Sequence, residues 1–150
     1  MAKRRLSPSK LTWVVGDIHG CDEALRALEL RIAKISHDLE RPPFLVSVGD
    51  LIDRGPASRQ VVQRFMEGTE AGTHYAVLGN HEMELLTSLY NVRPDLFTSS
   101  GIDVPYWLES MATYLEGIPA YARLGSVADW TLFFHLNWSC QGGGETLESY

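Results

Sequence analysis

Three short apolar runs, each stopped by a glycine and then a polar side chain able to bind a ligand, constrain this chain more than any other feature. They are Leu11-Thr12-Trp13-Val14-Val15 before Gly16-Asp17, Phe44-Leu45-Val46-Ser47-Val48 before Gly49-Asp50, and His74-Tyr75-Ala76-Val77-Leu78 before Gly79-Asn80. Segments with helical spacing separate them, and alternation of this kind folds as βα units on a parallel sheet. The near-continuous apolarity of the runs predicts strands covered on both faces. Between the first two, Leu25, Leu28, Ile32, Ile35 and Leu39 step by three and four. They draw one stripe along a helix that opens with Asp22-Glu23 and ends at Arg41-Pro42-Pro43. A second helix is expected from Pro56, with Val61, Val62, Phe65 and Met66 inward and Gly68 at its close. A third is expected from about Glu82 through Leu85, Leu86 and Leu89 to Tyr90.

In an open parallel sheet, ligands sit in the crevice at the carboxyl ends of the strands. Asp17, Asp50 and Asn80 can therefore converge on one point, with His19, Asp53, Arg54 and His81 beside them. Glycine before each lets the backbone turn and approach closely. Two carboxylates, an amide oxygen and an imidazole suit a borderline divalent metal such as Mn, Fe, Zn or Co better than calcium. Arginine offers a bidentate fork for phosphate, and a second histidine remains for acid chemistry. Any one piece is a common turn. Gly16-Asp17-Ile18-His19-Gly20, Gly49-Asp50-Leu51-Ile52-Asp53-Arg54-Gly55 and Gly79-Asn80-His81-Glu82 in that order are not an accident of composition.

These three motifs resemble those of the phosphoprotein-phosphatase-type metallophosphoesterases, the calcineurin-like group. That group includes bacterial Ser/Thr protein phosphatases and symmetrical diadenosine tetraphosphate hydrolases. The resemblance is strong over residues 11 to about 90 and returns faintly at Gly143-Gly144-Glu145-Thr146-Leu147-Glu148-Ser149-Tyr150. It implies an α/β fold, the N-terminal half of an αββα sandwich with a mainly parallel sheet and flanking helices. It also implies two divalent metal ions (Mn, Fe or Zn, with Mn the one expected in vitro). Asp17 and His19 would hold the first ion, Asp50 would bridge both, and Asn80 would hold the second. Water shared by the ions would attack phosphorus in line, as two-metal sites allow. Arg54 would bind the phosphoryl oxygens, and His81, oriented by Asp53, would protonate the leaving oxygen. Glu82 reads as a helix-start residue, not a ligand.

The family pattern goes on to a histidine in a His-Ala-Gly or His-Gly-Gly turn, a later histidine and a second phosphate-binding arginine. Residues 91–150 carry no recognisable counterpart. His135, in Phe133-Phe134-His135-Leu136-Asn137, lacks the two small neighbours and precedes the Gly143–Tyr150 segment, so a ligand role is not expected of it. Cys140 is no better a substitute. His37 and His74 read as surface or capping residues. The second metal site is therefore expected to be incomplete, and the domain to look truncated at residue 150. The leading expectation is a Ser/Thr protein phosphatase acting on a phosphorylated protein. The alternatives are a dinucleoside tetraphosphate hydrolase acting on a nucleotide, and a catalytically impaired chain that binds metal or phosphate without turnover.

Charge and organisation bear on partners. Of thirteen basic residues, Lys3, Arg4, Arg5 and Lys10 lie in the first ten positions, which hold no acid. The rest of the chain carries nine basic and nineteen acidic side chains, a net of −10 that repels nucleic acid backbones. No apolar run approaches the roughly 20 residues needed to span a bilayer. The basic start lacks the apolar stretch of an export signal, and two cysteines, Cys21 and Cys140, are too few for a disulfide framework, so a cytoplasmic location is expected. The organisation expected is a flexible tail (1–10) and one domain (11–150), whose motifs occupy 11–90 and whose segment 91–139 is cap-like or inserted. A helix is expected over Tyr106 to Glu116, and an ambiguous apolar run over Trp130 to Trp138. Trp107, Trp130 and Trp138 read as packing residues ahead of cleft-lining ones.

Overall fold

A computed structural model describes residues 9–101, 104, 108, 133 and 135–150. In chain order the elements are β1 (Leu11–Val15), α1 (Asp22–Asp38), β2 (Pro43–Ser47), α2 (Ser58–Glu70), β3 (His74–Ala76), α3 (Asn80–Val92) and α4 (Pro94–Ser99). Near the chain's end the segment Ser139–Gly143 is kinked at Gly142 (φ 105°), and α5 (Gly144–Glu148) follows it. The three strands form one parallel sheet in the order β1-β2-β3, with Trp13 beside Leu45 and Leu45 beside His74. Apart from the buried, helical Leu108, the helix expected over Tyr106 to Glu116 lies outside the described residues, as do Trp107, Trp130 and the basic residues 3–5. Among the described residues, no helix is long and apolar enough to cross a membrane.

Successive strand residues point to opposite faces. Trp13, Val15, Leu45 and Ala76 share the face covered by α1 and α2, where they meet Leu25, Ile32, Val61 and Phe65. Each fully buried side chain of this size contributes about 1.5–3 kcal/mol. The Trp13 indole donates to the buried Ser36 hydroxyl of α1 at 3.1 Å. Arg64 of α2 donates to Asp22 (3.0 Å) and Glu29 (3.3 Å) of α1, and the Asp22 bond holds its guanidinium above the ordinary pKa.

The expectation of strands covered on both faces is corrected. Val14 (68% exposed), Val48, Tyr75 and Val77 all show solvent-accessible apolar surface, on the sheet face opposite the one packed against α1 and α2. The α1 stripe is narrower than its periodicity: Leu25 and Ile32 are buried, while Leu28, Ile35 and Leu39 sit on the helix flanks, exposed. In α2, Val61 and Phe65 face inward as expected, but Met66 is exposed. Gly68 does not end α2; it lies within the helix, packed against the His74 ring, and the chain leaves the helix after Glu70. His74 itself bridges to Glu29 at 2.8 Å, and His37 is exposed in the last turn of α1.

Candidate functional site

The chain leaves each strand into a short loop at one end of the sheet, and these loops are bonded to one another. The amides of Ile18 and His19 both donate to the Asp50 carbonyl (2.9 Å each), and Gly20 donates to Leu51 (2.8 Å). Glu82, in the first turn of α3, gathers the other two loops. Its carboxylate accepts the amides of Asp50 (2.8 Å), Leu51 (2.7 Å), Ile52 (3.3 Å) and Gly79 (2.8 Å). The helix-start reading of Glu82 holds, and the residue does more than cap. Two glycines make this closeness possible. A Cβ on Gly49 (φ 108°) would collide with the Gly79 amide, and one on Gly79 with an Asp50 carboxylate oxygen. Gly16 is different: open space surrounds it, so the close-approach argument does not apply there.

His19, Asp50 and His81 present ligand atoms within 4.8 Å of one another. The His19 ring donates through Nδ1 to the Ile52 carbonyl (2.9 Å), and the His81 ring through Nδ1 to Asp53 Oδ2 (2.8 Å). The Nε2 atoms then accept from Arg54, whose guanidinium has only donors, at 2.9 Å from His19 and 3.0 Å from His81. Both Nε2 lone pairs thus face one place beside Asp50. Orientation of one ring nitrogen by a carbonyl or carboxylate, leaving the other free to bind, is how metal-ligating and proton-transferring histidines are prepared. The donor set of imidazole nitrogen and carboxylate oxygen suits a borderline divalent cation.

The remaining expected residues are distributed around this group. Asp17 lies at its exposed rim, with Oδ2 3.8 Å from His19 Nε2. Asn80 is the exposed first residue of α3. Asp53 is completely buried and Arg54 exposed. His135 is exposed, with Nδ1 3.4 Å from the Ser88 hydroxyl, and is not among the grouped ligands. Cys21 and Cys140 are both free and exposed; Cys140 borders an open groove beside Arg54 with Gln141, Gly142 and Glu145.

Trp138 and Thr146 were not candidate site residues on sequence grounds, yet both touch Asp53. The Trp138 indole N–H donates to Oδ2 (2.9 Å) and the Thr146 hydroxyl to Oδ1 (2.6 Å). The only sequence signal was the faint family likeness of the segment that contains Thr146.

A family model described as calcineurin-like phosphoesterase matches residues 11–148. The chain is 40% identical over 91 residues to serine/threonine-protein phosphatase 1 of Salmonella typhimurium, covering 61% of this chain and 38% of that protein. It is 38% identical over 81 residues to a symmetrical bis(5'-nucleosyl)-tetraphosphatase of an Acidovorax species, covering 54% of this chain and 27% of the relative. A protein of the same name from Pectobacterium carotovorum is 41% identical over 75 residues, covering 50% of this chain and 25% of the relative. The chain thus spans well under half the length of these curated relatives. No solved structure matches it significantly. The three loops that converge at the sheet end and the family match over nearly all of the chain lead to one conclusion: the protein belongs to the calcineurin-like phosphoesterases.

Proposed function

We propose that this chain carries the metal- and phosphate-binding residues of a metal-dependent phosphomonoesterase of the Ser/Thr protein phosphatase type. The observation that carries the reading is the pair of Nε2 lone pairs, on His19 and His81, aimed with Asp50 at the point that Arg54 reaches. Asp17, His19 and Asp50 would hold one divalent ion, and Asp50 and Asn80 would serve a second. Manganese is the ion to supply first. Such ions polarise the phosphoryl oxygens and acidify water.

The chain's own residues account for the rest. Arg54 turns its fork from the imidazoles to the phosphoryl oxygens, where its charge is worth most as negative charge develops. His81, taking up a proton at Nε2, delivers it to the leaving oxygen. Asp53 then sits against the Nδ1–H of the resulting imidazolium, fixing its ring and stabilising its charge. The His81 amide donates to Asp50 Oδ1 (3.1 Å), so the backbone that carries the proposed acid also orients the carboxylate that would serve the metal ions.

The test is hydrolysis of p-nitrophenyl phosphate by the chain with manganese, beside Asp50→Asn and His81→Ala. Loss of a proton-transferring group is expected to cost about 100-fold or more in kcat; variants that retained full activity would refute the site assignment. The names of the tetraphosphatase relatives favour a second reading, hydrolysis of a dinucleoside tetraphosphate at the same site. Diadenosine tetraphosphate assayed beside a phosphopeptide separates the two.

A further inference from the structure

We propose that Trp138 and Thr146 are positioning residues that hold the Asp53 carboxylate in the orientation that aims His81; the inference rests on the phosphoesterase reading above. Asp53 is 0% exposed, and a carboxylate taken wholly out of water is tolerated only when its oxygens are bonded. Three donors meet it. Oδ2 accepts from His81 Nδ1 (2.8 Å) and Trp138 Nε1 (2.9 Å), and Oδ1 accepts from the Thr146 hydroxyl (2.6 Å). Only the first of these partners belongs to the motifs at the strand ends.

Thr146 acts on Asp53 twice. Its hydroxyl oxygen also accepts the Asp53 amide (2.8 Å), so one side chain links the backbone of Asp53 to its own carboxylate. A hydroxyl has one proton, and the 2.6 Å contact to Oδ1 takes it. The neighbouring Ser58 hydroxyl, 3.1 Å from that of Thr146, shares the Asp53 amide with it (3.1 Å). Trp138 adds the second constraint. With Oδ1 tied to Thr146, the indole N–H on Oδ2 opposes rotation about Cβ–Cγ, the motion that would carry Oδ2 away from the His81 ring.

Two further bonds attach the same segment to the site. The Arg54 amide donates to the Gly142 carbonyl (3.2 Å), and Gln141 donates to Glu84 of α3 (2.9 Å). The stretch from Trp138 to Thr146 therefore acts as a brace for a residue 85 to 93 positions earlier in the chain.

Trp138→Phe removes one donor, Thr146→Val removes the hydroxyl that both donates to and accepts from Asp53, and Thr146→Ser restores that hydroxyl. With manganese and p-nitrophenyl phosphate, the first two are expected to lower kcat about 10-fold or more with KM little changed, and Thr146→Ser to recover most of it. A second readout needs no turnover. In the metal-free, isotope-labelled 150-residue chain, the slowly exchanging Nδ1–H signal of His81 is expected in the wild type and in Thr146→Ser. It should broaden or vanish in Trp138→Phe, in Thr146→Val and in Asp53→Asn. Full kcat in Trp138→Phe and Thr146→Val, alongside an inactive His81→Ala, overturns this inference and leaves the phosphatase reading intact. A wild-type chain that hydrolyses nothing counts against the phosphatase reading instead. The His81 signal then decides: if it is unchanged in Trp138→Phe and Thr146→Val, the brace is overturned.

Discussion

Four residues of the proposed site have strained backbone. His19 (φ 46°), Asp50 (φ 52°), Asp53 (φ 71°) and Arg54 (φ 69°) all occupy the left-handed region that side chains other than glycine avoid, at about 1–2 kcal/mol each. Hydrogen bonds offset that cost: the amides of Asp50 and Asp53 are held by Glu82 and Thr146, and the Arg54 amide by the Gly142 carbonyl. Arg54 also shows why residue type matters here. Its two terminal nitrogens reach His19 and His81 separately, a span that a lysine ammonium, a single point of charge, does not reproduce. Arg54→Lys is expected to lower kcat/KM for an aryl phosphate about 100-fold while leaving the unfolding midpoint nearly unchanged. Steady-state kinetics and a thermal melt check both halves. At this scale the sequence was legible for identity and spacing, since each motif is a local run at a strand end. It was silent on tautomers, because the Ile52 carbonyl that orients His19 is one of many carbonyls until the loop is folded.

At the scale of elements, α3 does more than supply His81. Its first turn carries Glu82, whose four backbone partners come from the loops after β2 and β3. A charged acceptor serving several part-buried amides is worth more than an exposed cap, because each amide left unpaired costs about 1–3 kcal/mol. Glu82→Ala is therefore expected to destabilise the chain by about 3 kcal/mol in urea unfolding. Glu82→Gln should lie between the two, since its NH2 group turns a donor toward amide donors. Glu82 was readable as a helix-start acid from its place in the sequence, but not as the tie between loops, because its partners at 50–52 lie some thirty residues away. The α1 stripe shows the opposite limit. Its periodicity marks a helix correctly, yet burial also depends on how far the covering surface extends, and only Leu25 and Ile32 fall at its centre.

For the whole molecule, the proposed metal centre links stability to ligand. An ion that binds the folded chain at 100 times its Kd adds about 2.7 kcal/mol, which for a domain of this length raises Tm by about 5 °C or more. Manganese is expected to produce that shift in a thermal melt, and Asp50→Asn to abolish it; an equal shift in the variant would place the ion elsewhere. Three parallel strands, and loops at one sheet end that bring His19, Asp50 and His81 together, were legible in the strand–glycine–ligand pattern. Strand periodicity and turn chemistry are local, so a single sequence displays them. Tertiary structure alone decided that one sheet face is covered by α1 and α2 while Val14 and Val48 remain exposed. It alone brought Trp138 and Thr146 onto Asp53 from 85 and 93 residues away. Partners at that separation are chosen by packing and by the demand of a buried carboxylate for donors, and neither leaves a periodic trace in the chain.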